Sequence, residues 1–135
     1  MREPRLFATL STSDLNALSY WRRSRTGALV AWPPGTRYGP VLLEKDIPLG
    51  LPRHERRDYK LNWYTATVVP WLRHAHAAVE AEPLAAAARF AAWTSRCLCC
   101  ARRLEDAHGR LAGACTGCRG RLPHDVLTAL ISLRH

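Results

Sequence analysis

Apolar positions recur along the chain with spacings that predict a mixed set of elements. Behind the capping-type run Ser11-Thr12-Ser13-Asp14, residues Leu15, Leu18, Tyr20 and Trp21 predict a short amphipathic helix ending near Arg25. Gly27-Ala28-Leu29-Val30-Ala31-Trp32 reads as a strand, and Pro33-Pro34-Gly35-Thr36 breaks it with turn chemistry. Tyr38 to Glu44, carrying Val41, Leu42 and Leu43, reads as a returning strand, so 27–44 is a candidate hairpin. Residues 45–60 are interrupted by Pro48, Gly50 and Pro52 and run into His54-Glu55-Arg56-Arg57-Asp58, the pattern of a polar surface loop. Leu61 to Val69 is dense in aromatic and β-branched residues and predicts a third strand.

From Pro70 the period changes to that of a helix. Proline is tolerated at a first helical position, and Trp71, Leu72, Ala75, Ala78 and Val79 then share one face. Pro83 restarts the pattern, and the alanine-rich stretch Leu84 to Trp93 turns Leu84, Ala87, Ala88, Phe90 and Ala91 inward. A last helix is predicted from Pro123 to Leu133. The expected fold class is α+β. Residues 1–95 form a body with a small antiparallel sheet and two or three helices. Residues 96–135 form a four-cysteine zinc-ribbon or treble-clef-like module with a terminal helix.

Composition narrows the function classes. The chain has 135 residues, 47% apolar and 23% charged, the proportions of a folded domain rather than a disordered one. No run approaches the ~18 apolar residues of a membrane span. The start, MREPRLFATLSTSD, lacks the apolar stretch of a secretory leader. The expectation is a soluble, cytoplasmic protein with no membrane partner. Lys and Arg total 20 against 11 Asp and Glu, a net charge of +9. Of those 20, 18 are Arg, and there are 20 Ala, a bias typical of GC-rich coding such as that of an actinobacterium or its phage. Basic charge favours acidic partners, above all nucleic acid.

All five cysteines lie within residues 97–118. A disulfide framework would spread them along the chain, so reduced thiols on a metal are the better reading. Cys97-x2-Cys100 and Cys115-x2-Cys118 let each pair of sulfurs converge, and two such pairs close a tetrahedral shell. One Zn2+ per chain is expected, with iron in a rubredoxin-like site as the minor alternative. A closed shell leaves no open position for hydrolytic chemistry. Arg103 to Ala112 fits a hairpin turning at Asp106-Ala107-His108-Gly109. Cys99 remains over, read as a spare thiol turned away from the metal, with a redox-sensing thiol or a substitute ligand as alternatives. His108, His124 and His135 could substitute as ligands, although four cysteines already fill the shell.

Arg102, Arg103, Arg110, Arg119 and Arg121 surround the cysteines and are the candidate phosphate contacts. Arg22-Arg23-Ser24-Arg25 and Arg53, Arg56 and Arg57 form similar clusters. Trp63-Tyr64 is a candidate pair for stacking on bases. His74 and His76, two apart on a helix, point to different faces and make a poor metal pair. A nucleophile elbow, a phosphate-binding glycine loop, paired carboxylates and an HExxH helix are all missing, so no enzyme activity and no small-molecule substrate are expected.

Two resemblances add to this reading. Val79-Glu80-Ala81-Glu82-Pro83-Leu84, the alanine run to Phe90, Cys97-x2-Cys100, Arg102-Arg103-Leu104-Glu105-Asp106, Gly113 and Cys118 together resemble the C-terminal part of a group of small actinobacterial and phage proteins. That group has a helix ending in a two-cysteine knuckle. The resemblance covers residues 79–118 and implies a metal-binding module, without an activity. More weakly, Arg102-Arg103-Leu104-Glu105 between two knuckles is similar to the zinc finger of DksA/TraR-type transcription regulators. The expected function is that of a non-enzymatic, zinc-stabilised basic protein that binds DNA or RNA or belongs to a transcription or replication assembly. The alternative is an adaptor docking a protein through the zinc module and Leu127, Leu130, Ile131 and Leu133 of the last helix.

Overall fold

The computed structural model describes residues 5–133 except 13–16. Its three strands form one antiparallel sheet in chain order: β1 (Ala8–Thr12), β2 (Ala17–Arg23) and β3 (Leu29–Ala31). Helices follow: α1 (Arg53–Trp63), a π-helical turn (Tyr64–Val68), α2 (Val69–Ala81) and α3 (Pro83–Thr94). Three further helices close the chain: α4 (Ala107–Ala112), α5 (Thr116–Arg119) and α6 (His124–Leu133). The class is α+β, with a cluster of four cysteines toward the C-terminus. Among the described residues no helix is long and apolar enough to cross a membrane.

Five local expectations need correction. The segment predicted as a helix before Arg25 is strand β2, within what the structure describes. Its side chains alternate. Ser19 and Trp21 are buried while Leu18 is exposed, and hydrogen-bonded partners on both sides outweigh the helical spacing. Residues 13–16, with half of the capping run, Ser13 and Asp14, lie outside the described residues. Tyr38 to Glu44 forms no strand. Gly39 has φ of +105°, Pro40 has no N–H for a ladder, and the 27–44 hairpin is replaced by one between β2 and β3. The 45–60 loop is largely helical, with a 3-10 turn at Glu44–Asp46 and then α1.

Leu61 to Val69 is helical, not a strand. Its aromatic and β-branched content is overridden because the helix runs on from α1 and only Val68 is fully buried against the body. The π turn has a local cause. Pro70 has no N–H to return to the preceding turn, and the Val69 N–H reaches back five residues to the Tyr64 carbonyl. Lastly, the turn and second arm of the expected finger hairpin are helix α4. Asp106 caps it by accepting from the Gly109 N–H.

The expected helix faces hold. Ala75 and Val79 of α2 are buried with Ala8, Leu10, Trp21 and Leu29, and Trp71, Leu72 and Ala78 pack around them. Ala87, Ala88, Phe90 and Ala91 of α3 form a second cluster with Leu6, Leu98 and Leu130. The small alanines let α3 lie close along β1, where Arg89 Nε donates to the Thr9 carbonyl at 3.2 Å. Phe90 meets the rings of Phe7, Tyr20 and Trp32 at 4.9 to 6.2 Å. Leu98 and Leu130 belong to residues 96–133, so body and cysteine module share one core. Leu130 is thereby buried rather than presented to a partner.

Candidate metal centre and the basic groove beside it

The chain leaves α3 through Ser95, which is left-handed at φ 56°, and turns into the first knuckle. A bridge between Arg96 and Arg103 closes the loop. Inside it, the Cys97 N–H donates to the Arg102 carbonyl at 2.7 Å and the Ala101 N–H donates to the Cys97 carbonyl at 2.8 Å. Cys115 stands at the N-terminal end of α5, so one helical turn carries Cys118 back beside it. The Leu98 N–H donates to the Gly113 carbonyl at 2.9 Å and ties the two halves together.

This arrangement brings Cys97, Cys100, Cys115 and Cys118 together, every sulfur within 4.8 Å of the others. Cys100 and Cys115 are 3.8 Å apart, the edge of a tetrahedron with metal–sulfur bonds of about 2.3 Å and too long for a disulfide. Cys97 and Cys118 are buried, while Cys100 is exposed. The donor set fits a thiophilic ion in a closed shell. His108 and His124 are exposed and not part of the cluster, and His135 lies outside the described residues.

Electrostatics poise the site for a cation. The Cys99 thiol, followed by the N–H groups of Cys115, Cys99 and Cys100, holds Cys97 as a thiolate at about 3, against the opposing effect of burial. The Cys99 and Cys115 N–H groups each lie 3.4 Å from that sulfur. Burial, then the neighbouring thiols, pushes Cys118 up to about 12 and raises Cys100 as well. Without a cation the cluster favours one thiolate among thiols, and four thiolates together require a compensating positive charge. Cys99 does not turn away as expected. It is half-buried, packs against the centre, and is held protonated chiefly by hydrogen bonding to Cys97.

The five candidate arginines divide. Arg102, Arg103 and Arg121 line a cleft of about 350 Å3 beside the sulfurs, whose rim also carries Glu105 and Asp106. Arg110 instead donates to the Glu105 carbonyl at 3.2 Å. Arg119 donates to the Ala114 carbonyl at 3.0 Å and to Thr116 Oγ1 at 3.2 Å, both within its own module. On the other side of Arg121, a groove of about 510 Å3 runs between the sheet and the first knuckle. It is lined by Arg5, Phe7, Arg22, Arg23 and Arg121 together with Cys99, Cys100 and Cys118, and among the described residues no carboxylate lines it. Arg23 is engaged with Glu80 at 2.6 Å. Arg5 and Arg22 have no ion-pair partner among the described residues. Arg5 was not singled out by sequence. Arg22 stood out as part of a basic run, but only the β2 register, opposite Val30, brings it to the metal centre.

No protein-family model matches the chain, and neither does any curated protein or solved structure.

Proposed function

We propose that this is a non-enzymatic, zinc-stabilised basic protein that binds DNA or RNA, acting within a transcription or replication assembly. One zinc ion per chain would sit on Cys97, Cys100, Cys115 and Cys118. Zinc suits a closed tetrahedral four-thiolate shell, and its role here is to hold a segment too small for a core of its own. The observation that carries the nucleic-acid reading is the groove of Arg5, Arg22 and Arg121 beside the metal centre, which holds no carboxylate among the described residues. Guanidinium groups on separate elements, fixed by the sheet and the knuckle, suit a phosphate backbone. Arg102 and Arg103 extend the basic surface past Arg121.

The test begins with metal content per chain after purification without chelator. Labelled single-stranded DNA, duplex DNA and RNA are then titrated at two salt concentrations. Binding should weaken linearly in log–log form, with a slope of about 0.7 to 0.9 per phosphate contacted. Arg22→Gln with Arg121→Gln should lower that slope by roughly two. Zinc bound with no salt-sensitive affinity would sink the nucleic-acid reading. It would favour the protein adaptor, for which Trp93 (51% exposed) and Leu133 (52% exposed) line one shallow apolar cleft between α3 and α6.

A further inference from the structure

A further cavity lies away from the cysteines, between the Trp21 face of the sheet and the helical arm that runs from α1 into α2. It measures about 650 Å3, within the size range of small-ligand sites. Its walls are aromatic. Trp21 and Tyr38 stand with ring centroids 5.5 Å apart, and Trp63 and Tyr64 line it from the junction of α1 and the π turn. Leu29, Val68 and Leu72 add apolar surface. His76 is edge-on to Trp21 at 5.2 Å, and its Nε2 is buried without a hydrogen-bond partner among the described residues.

The mouth of the cavity is built rather than loose. Residues 36–42 join no strand, yet the Tyr38 hydroxyl donates to the Trp32 carbonyl at 2.7 Å. Gly39, at φ +105°, lies so close to the Trp71 ring that a Cβ there would sit 2.9 Å from it. The opposite wall contains the π turn, a distortion that recurs at functional sites. Among the described residues Arg37 is the one fully charged side chain lining the cavity, and no carboxylate does.

We propose that this cavity binds a small planar aromatic molecule of one or two fused rings carrying a single anionic group. The rings pack among Trp21, Tyr38, Trp63 and Tyr64, and the anion faces Arg37. A cationic ligand would find no counter-charge among the described residues, and a purely aliphatic one would forgo ring-on-ring packing with the aromatic walls.

The test uses the intact, metal-loaded chain and 2-naphthoate as probe, followed by calorimetry, with amide shift changes locating the site. One probe should bind per chain, with a Kd on the order of 0.1–1 mM for a ligand of this size. The neutral 2-naphthalenemethanol should bind at least ~5-fold more weakly, and Arg37→Gln should abolish that difference. Thr36→Trp, which fills the mouth from a surface loop, should weaken 2-naphthoate at least ~10-fold. Nucleic-acid affinity should be unchanged in both variants, because the arginine groove uses other residues. Failure there would therefore not touch this proposal. Three results would overturn it: no saturable binding up to roughly 5 mM, equal affinity for the neutral analogue, or full binding by Thr36→Trp.

Discussion

The cysteine module and the helical arm hold their shape by opposite means. Residues 96–122 contribute few apolar side chains, yet Cys97, Leu104, Ala114 and Cys118 form a buried cluster at their centre. Backbone bonds to residues 7 and 95 lash the module to the body, and one between Leu98 and Gly113 ties its two halves together. The arm, residues 53–68, is shorter but helical throughout, and α1 buries no residue at all. It is tied down by an ion pair between Arg56 and Glu44 and by the Tyr59 hydroxyl, which donates to the Asp46 carbonyl at 3.3 Å. Regular secondary structure is therefore a poor guide to where the stability lies. The irregular segment belongs to the cooperative unit, whereas the arm persists because helix propagation from α2 costs little once the first turns exist.

Metal removal should break this contrast most forcefully. Structural zinc supplies apparent binding energies on the order of 10 kcal/mol, and the sulfur cage shares its core with Leu6, Phe90 and Leu130 through Leu98. Strong chelation, or Cys118→Ser, should lower the melting temperature of the whole chain and loosen its near-ultraviolet aromatic signal. Melting that is indifferent to chelator would show that the module is not part of the cooperative unit. Phe90→Ala comes next, at about 3–5 kcal/mol by denaturant melts, because the fully buried ring meets three other rings from the sheet side. It should also weaken metal retention, since the two regions unfold together.

The same contrast explains what the sequence made legible. Two Cys-x2-Cys pairs announce their geometry locally, because ligand spacing alone brings the sulfurs together. The faces of α2 and α3 were equally readable, since Ala75, Val79, Ala87 and Phe90 follow helical spacing next to prolines that mark the starts. The arm was not readable. Tyr64, Thr65, Thr67 and Val68 have strand propensity, and nothing local announces that α1 will carry its helix through them. Strand β2 was lost for the reverse reason: Leu18 and Trp21 are three apart, but their faces are set by pairing with β1 and β3. The arginine groove depends on the same distant pairing, so Arg22 could be seen as basic but not as a neighbour of Cys99.

A smaller effect sharpens the account of the knuckle. Ala101 sits at φ 63°, a left-handed conformation that costs a residue with a Cβ about 1 kcal/mol or more. Ala101→Gly removes that strain at some cost in chain entropy and should stabilise the metal-loaded protein by about 0.5–1 kcal/mol. No gain in melting temperature would mean the knuckle backbone is relaxed as it stands.

On the body side, burial holds His76 below its usual 6.5, with Glu80 opposing that shift and Arg23 reinforcing it. As pH falls through 6.5 the unfolded imidazole takes a proton, while the folded one does so only at lower pH. The unfolded state thus binds more protons in that window, and stability present above pH 6.5 is withdrawn as pH falls. The difference in melting temperature between wild type and His76→Phe should therefore shift in favour of the variant from about pH 7.5 to about 5.5. Carboxylates elsewhere titrate in both proteins and drop out of that difference. A constant difference would mean that His76 is not desolvated in the fold.

The smallest global effect should come from the arm itself, and it is the most direct test of the comparison. Arg57 is exposed in the middle of α1. Replacing an exposed mid-helix arginine by glycine costs that helix about 1 kcal/mol. If α1 merely propagates from α2, Arg57→Gly will raise amide exchange over residues 53–63 by roughly 5-fold through local opening. Global melting should stay within about 1 °C, because no core contact is lost on opening. A drop of several degrees would mean that the arm unfolds together with the body. Trp63 and Tyr64 would then be held by the cavity they line, and the aromatic cavity, rather than helix propagation, would be what keeps the arm in place.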